Sequence, residues 1–177
     1  LTNPVTGKTY ALIIRGNRPG MNYCSCPDFA VNNLGTCKHL EFALSRLEKK
    51  RGGKKLLAAG YQQPYSEIFL YHGLKQEIQF RPGRDLAPAL QVWARKLFND
   101  QGCLRNEYLL DLPRQLQTRP KADGHEIRCS DEVLAWVAEH QEARERQKVV
   151  QEALREGIHS PIFKNLLKTD LYPYQRE

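Results

Sequence analysis

Four residues near the N-terminus have the types and the spacing of a metal-binding site. Cys24-x-Cys26 is separated by ten residues from Cys37-x-His39. Three thiolates and one imidazole complete the tetrahedral coordination that zinc adopts in structural sites, and they leave no position open for water or substrate. The pattern therefore predicts one structural zinc. The alternatives are small buried cysteines or a disulfide, and a disulfide would leave one of the three thiols unpaired.

The elements around these residues must bring the two pairs together. Residues two apart on an extended chain face the same side, which suits Cys24 and Cys26 on a strand. Cys37 is predicted just before a helix and His39 in its first turn, where the helix dipole favours a thiolate. The spacer 27–36 is rich in Pro, Asp, Asn and Gly. These residues favour turns, so the spacer is predicted to be a loop that folds the second pair back onto the first.

The first part of the chain predicts a small ββα zinc finger. A hairpin is expected over residues 4–22, where Gly- and Pro-containing turns flank a β-rich run. Apolar residues at helical spacing predict a helix over 37–51. We therefore place the finger at 1–55, followed by a linker at 56–66 that contains Gly and Pro.

The second part predicts a mainly helical domain with a β-hairpin at 67–170, so the fold class is α+β. Its boundaries follow from hydrophobic periodicity and from turn and capping residues. The predicted elements are a hairpin at 67–83, helices at 86–99 and 105–117, a short strand at 125–129, a long helix capped by Ser130 and a short helix at 161–168.

The positive charge of the chain is concentrated in its first third. The formal net charge is +7; residues 1–60 contain ten Lys or Arg and three Asp or Glu, whereas residues 61–177 contain seventeen of each sign. A basic surface on a zinc module suits a polyanion such as nucleic acid, although charges at a helix end are also often only solvated. The predicted polyanion contacts are eight cations: Arg15, Arg18, Lys38, Lys49, Lys50, Arg51, Lys54 and Lys55.

The other residues that could carry chemistry do not predict a catalytic site. One alternative is a second metal site formed by Cys103, His125 and Cys129. The favoured interpretation is a buried thiol and a surface histidine. No Ser/His/Asp order, paired carboxylates or glycine-rich nucleotide loop stands out in the sequence. This chain is therefore not predicted to be an enzyme by itself.

Two stretches resemble parts of a known family. The order Cys-x-Cys, spacer, Cys-x-His and amphipathic helix resembles the SWIM zinc finger, which implies one zinc and a role in binding DNA or protein. The last residues, LYPYQRE at 171–177, resemble the entry to the motor of SWI/SNF-type helicase-like ATPases, where a glutamine contacts adenine; Gln175 matches that position. Together they imply the non-catalytic N-terminal region of a bacterial SWI/SNF-type ATPase, with ATP and Mg²⁺ bound only by the full-length parent.

These resemblances and the charge predict duplex DNA as the partner, held near the motor. The alternative is a protein-interaction or regulatory module that docks the ATPase on a partner protein or on the parent's own ATPase lobes. No apolar run reaches membrane-spanning length, and no basic-then-apolar leader is visible. Because three of the five cysteines fall in a metal pattern, a reducing compartment is indicated. We therefore expect a cytoplasmic, nucleoid-associated protein that does not enter a membrane.

Overall fold

Helices and two small β-sheets make up the part of the chain that the structure describes. A computed structural model describes residues 1–3, 5–121 and 124–156. The coexistence of helices and small sheets confirms the predicted α+β class. The predicted helix at 161–168, the end of the predicted domain 67–170, the predicted start of a motor at 171–177 and Gln175 lie outside these residues.

The N-terminal part consists of two short strands followed by three helices. β1 and β2 pair antiparallel, with Leu12 opposite Cys24, so the predicted hairpin exists. Its second strand extends to Cys24 and therefore lies beyond the predicted range of 4–22. The predicted helix over 37–51 is confirmed as α2. In chain order the elements are β1 (Leu12–Ile13), β2 (Tyr23–Cys24), α1 (Pro27–Val31), α2 (Lys38–Glu48) and α3 (Gly53–Ala59).

The spacer between the two ligand pairs is partly helical, so the prediction of a loop over 27–36 is wrong in its first half. Pro27 lies at the start of α1, where a backbone N–H would have no partner within the helix, so proline is tolerated there. Asp28 lies in the first turn, where the helix dipole favours an acid. Asn32 ends the helix, and its side-chain amide donates to the carbonyl of Thr36 at 2.9 Å. The turn-forming residues thus shape only the second half of the spacer.

A three-stranded sheet follows in the order β4-β3-β5. β3 pairs antiparallel with β4 and parallel with β5, which confirms the predicted hairpin and the predicted short strand. The middle of β3 is buried at Ile68, Phe69 and Leu70 without alternation, as expected for a strand covered on both faces. The strands are β3 (Ser66–His72), β4 (Gln76–Arg81) and β5 (Ile127–Cys129).

The remaining helices agree with the predictions except in one region. The predicted helix over 105–117 is divided into a 3-10 turn at Asn106–Tyr108 and the short helix α5, because Pro113 can be accommodated only in the first turn of a helix. No helix within the described ranges combines the length and the apolar character needed to cross a bilayer. The helices are α4 (Pro88–Leu97), α5 (Leu112–Gln117) and α6 (Asp131–Glu156).

Ser130 precedes α6 but does not cap it through its side chain. The N–H of Ser130 donates to the carbonyl of Ile68 at 2.9 Å, so its backbone continues the pairing of β5 with β3. Its hydroxyl is buried without a hydrogen-bond partner among the described residues. The predicted side-chain cap is therefore wrong, because the sheet fixes this residue. Asp131 and Glu132 do lie in the first turn, as predicted.

The chain divides into two compact units, Leu1–Leu134 and Ala135–Glu177. Within the second unit, the described residues continue α6. The ring of Trp136 lies against that of His140 with centroids 3.8 Å apart, and His140 Nδ1 donates to the carbonyl of Trp136 at 2.8 Å. Farther along, Lys148 and Glu145 form an ion pair at 2.7 Å.

In the first unit, a buried ion pair joins the finger to β3. Arg15 Nη2 lies 2.6 Å from Glu67 Oε1, and only 2% of the Arg15 side chain is exposed. The guanidinium also lies 4.4 Å from the ring centroid of Phe69. The prediction that Arg15 contacts a polyanion is therefore wrong, because its charge is already neutralised inside the fold. The predicted linker 56–66 contains the last four residues of α3 and the first residue of β3 rather than only irregular chain.

We expect Glu67→Gln to lower the free energy of unfolding by about 3 kcal/mol, because the Arg15 charge would stay buried without a counter-ion. Urea unfolding followed by circular dichroism measures the change. Glu126→Gln is the matched control, since it removes a carboxylate from the exposed pair with Arg128, and exposed pairs contribute little. Equal shifts of the two unfolding midpoints would contradict the role of the Arg15–Glu67 pair as a joint.

Candidate metal centre

The structure brings the four predicted ligands together. Cys24 ends β2, Cys26 is the N-cap of α1, Cys37 is the N-cap of α2, and His39 lies in the first turn of α2. The three sulfur atoms and a ring nitrogen of His39 all lie within 4.8 Å of one another. His39 Nδ1 is 3.9 Å from the sulfur of Cys24 and 3.9 Å from that of Cys37.

These distances fit a tetrahedral zinc. With Zn–S bonds of about 2.3 Å and a Zn–N bond of about 2.0 Å, the ligand atoms of a regular tetrahedron lie about 3.5–3.8 Å apart. The three cysteines are buried, with exposed fractions of 1%, 1% and 4% for Cys24, Cys26 and Cys37. Soft thiolates with one imidazole favour zinc over magnesium or calcium. A zinc held here would therefore be closed to substrate and would serve to fold the chain.

Two helix N-termini adjoin the site and favour thiolates. The sulfur of Cys26 accepts a hydrogen bond from the N–H of Phe29 at 3.3 Å, and Cys37 occupies the same capping position on α2. Helix dipoles and backbone N–H donors stabilise negative sulfur. Burial is the largest influence on the pKa of Cys26 and raises it, but the Phe29 N–H and the two neighbouring thiols together lower that pKa below its ordinary value.

The other two thiols hold their protons more tightly. Burial, together with hydrogen bonds to its neighbouring thiols, raises the pKa of Cys24 to about 12. Burial, helped by the Cys26 sulfur, also raises the pKa of Cys37. Three thiolates so close together require a compensating positive charge, which a divalent cation supplies. Metal binding at this site would therefore release protons, and its affinity would fall as the pH falls.

Aromatic residues that the sequence prediction missed surround the ligands. The ring of Tyr10 lies 4.7 Å from that of His39, and Phe29 packs between Tyr23 and His72 with centroid distances of 5.6 and 4.7 Å. The signal for Phe29 was its position three residues after Cys26, one helical turn from a capping residue. Through the contact of Phe29 with His72, these rings connect the site to the end of β3.

Gly35 lets the spacer pass close to the sheet before it reaches Cys37. Its φ is +67°, and a Cβ added at this position would collide with the carbonyl oxygen of His72. The segment around Gly20 also lies against the end of β3, since the N–H of His72 donates to the carbonyl of Gly20 at 2.8 Å. The second ligand pair is thus positioned by the end of β3 as well as by the metal site.

We expect Gly35→Ala to destabilise the zinc-loaded protein more than Gly7→Ala does. Gly7 has nearly the same φ of +66° but open space around its Cα, so alanine there costs only the backbone strain of about 1–2 kcal/mol. At Gly35 the collision with His72 adds to that strain. Urea unfolding and competition with a zinc-chelating dye measure stability and zinc affinity; equal losses in both variants would refute the close approach.

We expect the chain to bind one zinc, and Cys37→Ser to bind it about 100-fold or more weakly, because even groups that only orient a ligand contribute about 10- to 100-fold. Zinc content after dialysis, measured by elemental analysis, tests this. Cys129→Ser is the control, since Cys129 lies on β5. A chelator should also make residues 1–51 sensitive to protease. Unchanged protease resistance after chelation would count against a metal that folds the finger.

A cluster of exposed cations lies at the corner between α2 and α3, at the end of α2 away from His39. Gly52 adopts φ +78°, and Gly53 packs so closely on the carbonyl of Leu47 that no side chain would fit. This tight corner concentrates five cations, which form no ion pair with a carboxylate anywhere in the described ranges. Arg18 and Lys38 are exposed as well. The corner cluster consists of Lys49, Lys50, Arg51, Lys54 and Lys55.

The residues considered for a second metal site are not brought together. Cys103 Sγ lies 3.4 Å from a carboxylate oxygen of Glu77, whereas His125 Nε2 lies 2.8 Å from the hydroxyl of Ser66. Burial raises the pKa of Cys129 to about 11, as expected for a thiol without a cation. Among the described residues, the Cys24–His39 group is the only cluster of His, Cys, Asp or Glu with metal-binding geometry.

No family model, no curated protein and no solved structure matches this chain. Its function is therefore inferred from the metal centre and from the charge at the other end of α2.

Proposed function

We propose that residues 1–59 form a zinc finger of the SWIM type that holds duplex DNA through the corner cluster. The observation that carries this proposal is a group of five exposed cations, without ion pairs among the described residues, at the end of the helix that contains His39 and at the start of α3. Cations gathered on one small surface without neighbouring acids create a positive potential that attracts phosphates.

The zinc would act on this surface indirectly. When bound, it would link β2, α1 and the start of α2, so that the C-terminal end of α2 and the corner cluster keep a fixed orientation. Binding would come from phosphate contacts and the release of counter-ions, without reading of base sequence. Arg18 and Lys38, both exposed, would extend the contact surface from the corner cluster.

We further propose that the finger belongs to the N-terminal region of a bacterial SWI/SNF-type ATPase. Support comes from the order of two resemblances, the Cys/His pattern before and LYPYQRE at 171–177 after the middle of the chain. In such a parent, Gln175 would contact adenine, and ATP and Mg²⁺ would be bound by the motor. The present chain would hold DNA near that motor in the cytoplasm, on the nucleoid.

A second candidate is a module that docks a partner protein or the parent's own ATPase lobes. It is favoured by two apolar side chains in the spacer, Val31 and Leu34, which are 76% and 71% exposed. Neither packs into the finger, although both lie between the ligand pairs. Apolar side chains left exposed next to an ordered centre are typical of a contact surface. Binding through them would depend weakly on salt, which distinguishes it from binding to DNA.

We expect the zinc-loaded chain to bind a fluorescent DNA duplex with an affinity that falls steeply as salt rises. Five phosphate contacts would give a slope of log K against log salt of about −4.5. Replacing the five residues of the corner cluster with glutamine should remove most of this slope, so that log K changes little with log salt. Fluorescence anisotropy over a salt series measures both.

The control for this experiment removes the same amount of charge elsewhere. It replaces five other exposed cations by glutamine, and its slope should stay close to that of the unaltered chain. If the zinc-loaded chain does not bind the duplex at low salt, the DNA-binding proposal is refuted. The control residues are Lys75, Arg84, Arg95, Arg105 and Lys121.

A further inference from the structure

Phe42 is exposed on the side of α2 opposite to the residues that pack into the fold. It is 51% exposed. At about 100° per residue, Leu40, Leu44 and Leu47 lie about 140–160° away from it around the helix axis. Leu40 is buried and the other two are half-buried. Packing of α2 therefore does not account for an aromatic residue at this position.

Three cations lie on the same face of α2 as this ring. Lys38, Arg46 and Lys49 lie within about 40° of Phe42 around the axis, and all are exposed. The Arg46 guanidinium carbon is 5.3 Å from the centroid of the Phe42 ring. None of the three forms an ion pair within the ranges that the structure describes. We call Lys38, Phe42, Arg46 and Lys49 the outer face of α2.

The acids of the same helix are turned away from the outer face. Glu41 and Glu48 lie about 100° and 120° from Phe42 around the axis. The carboxylate of Glu41 accepts a hydrogen bond from the hydroxyl of Thr36, before the helix begins. An aromatic ring among free cations, with the acids directed elsewhere, fits a ligand that offers both a flat apolar surface and negative charge.

We propose that Phe42 stacks on an unpaired base while Lys38, Arg46 and Lys49 contact the phosphates beside it. The inference rests on the proposed DNA binding and names its substrate class, namely duplex DNA that adjoins unpaired bases, as in a bubble or a junction. Lys49 belongs both to the outer face and to the corner cluster. A duplex arm held by the corner cluster would therefore place neighbouring unpaired bases at Phe42.

The size of the stacking effect favours unpaired bases over a continuous duplex. A base stacked on one aromatic side chain improves affinity by about 5- to 150-fold. Inserting a side chain between paired bases requires them to unstack, which offsets an effect of this size. A single ring therefore gains affinity mainly where the bases are already separated.

The test compares two fluorescent probes, a fully paired duplex and the same duplex with a central bubble, by anisotropy with the zinc-loaded chain. The quantity of interest is the ratio of the two affinities, bubble over duplex. We expect the ratio to be about five or more and to fall about fivefold or more in Phe42→Ala. Phe42→Trp should keep the ratio of the unaltered chain or raise it. Phe42→Leu should lower the ratio as far as Phe42→Ala does, because leucine retains apolar bulk without a stacking surface.

Val92→Ala is the matched control, since Val92 is an apolar side chain on α4 that is 69% exposed. It should leave the ratio unchanged. Zinc content and the urea midpoint of each variant confirm that the fold is intact. Phe42 is exposed, so we expect both to match the unaltered chain.

The outcomes separate this inference from the proposed function. If duplex binding depends on the corner cluster but Phe42→Ala lowers the ratio by less than about fivefold, stacking is refuted and the DNA-binding proposal stands. A ratio of one in the unaltered chain, or a ratio preserved in Phe42→Leu, likewise overturns stacking. If the chain binds neither probe, the proposed function fails and the inference falls with it.

Discussion

The convergence of three thiols and one imidazole is the constraint on which the N-terminal part of the molecule depends. Its buried cluster consists of five residues, three of which are the cysteines, and four half-buried residues pack against it: Tyr10, Leu12, Ile14 and Tyr23. A core of this size offsets only part of the conformational entropy of ordering the chain around it. A structural zinc contributes an apparent free energy of roughly 10–16 kcal/mol in small fingers, comparable with the stability of a whole domain.

The sheet shares in this constraint. Arg15 reaches Glu67 near the start of β3, and the rings of Phe29 and His72 meet at its other end. His72 Nε2 also lies 3.2 Å from a carboxylate oxygen of Glu132, in the first turn of α6. The finger is therefore braced at both ends of one strand. Its orientation relative to the sheet is set by contacts that need no metal, whereas a metal bound by the four candidate ligands would set its internal geometry.

The features that could be predicted from sequence are those that local patterns determine. The ligand set, α2, the β3–β4 hairpin and the beginning of α6 follow from spacing, periodicity and first-turn acids. Two features that tertiary contacts decide were not predicted. Arg15 was predicted to be a surface cation because its ion-pair partner, Glu67, is 52 residues away in the sequence and no local pattern indicates that the two pair. The hydroxyl of Ser130 was predicted to cap a helix, but pairing with β3 fixes its backbone instead.

The spacer shows a subtler limit. Its Pro, Asp and Asn residues favour turns, yet Pro27 and Asp28 are equally favourable at a helix start, and α1 forms there. The choice between the two depended on Cys26, whose sulfur accepts the hydrogen bond that caps the helix. A residue identified as a metal ligand thus also acts in local structure. The pattern of ligands gave no indication of this second role.

The parallel pairing of β3 with β5 has a consequence for the order of folding. Ser66 pairs with Ile127, so this part of the sheet closes across almost half of the described chain. The contacts among the ligands span only residues 24–39. Closing a long loop costs more entropy and is slower than forming local contacts. During synthesis the metal site and the β3–β4 hairpin can therefore assemble early, and β3 waits with one open edge until β5 emerges.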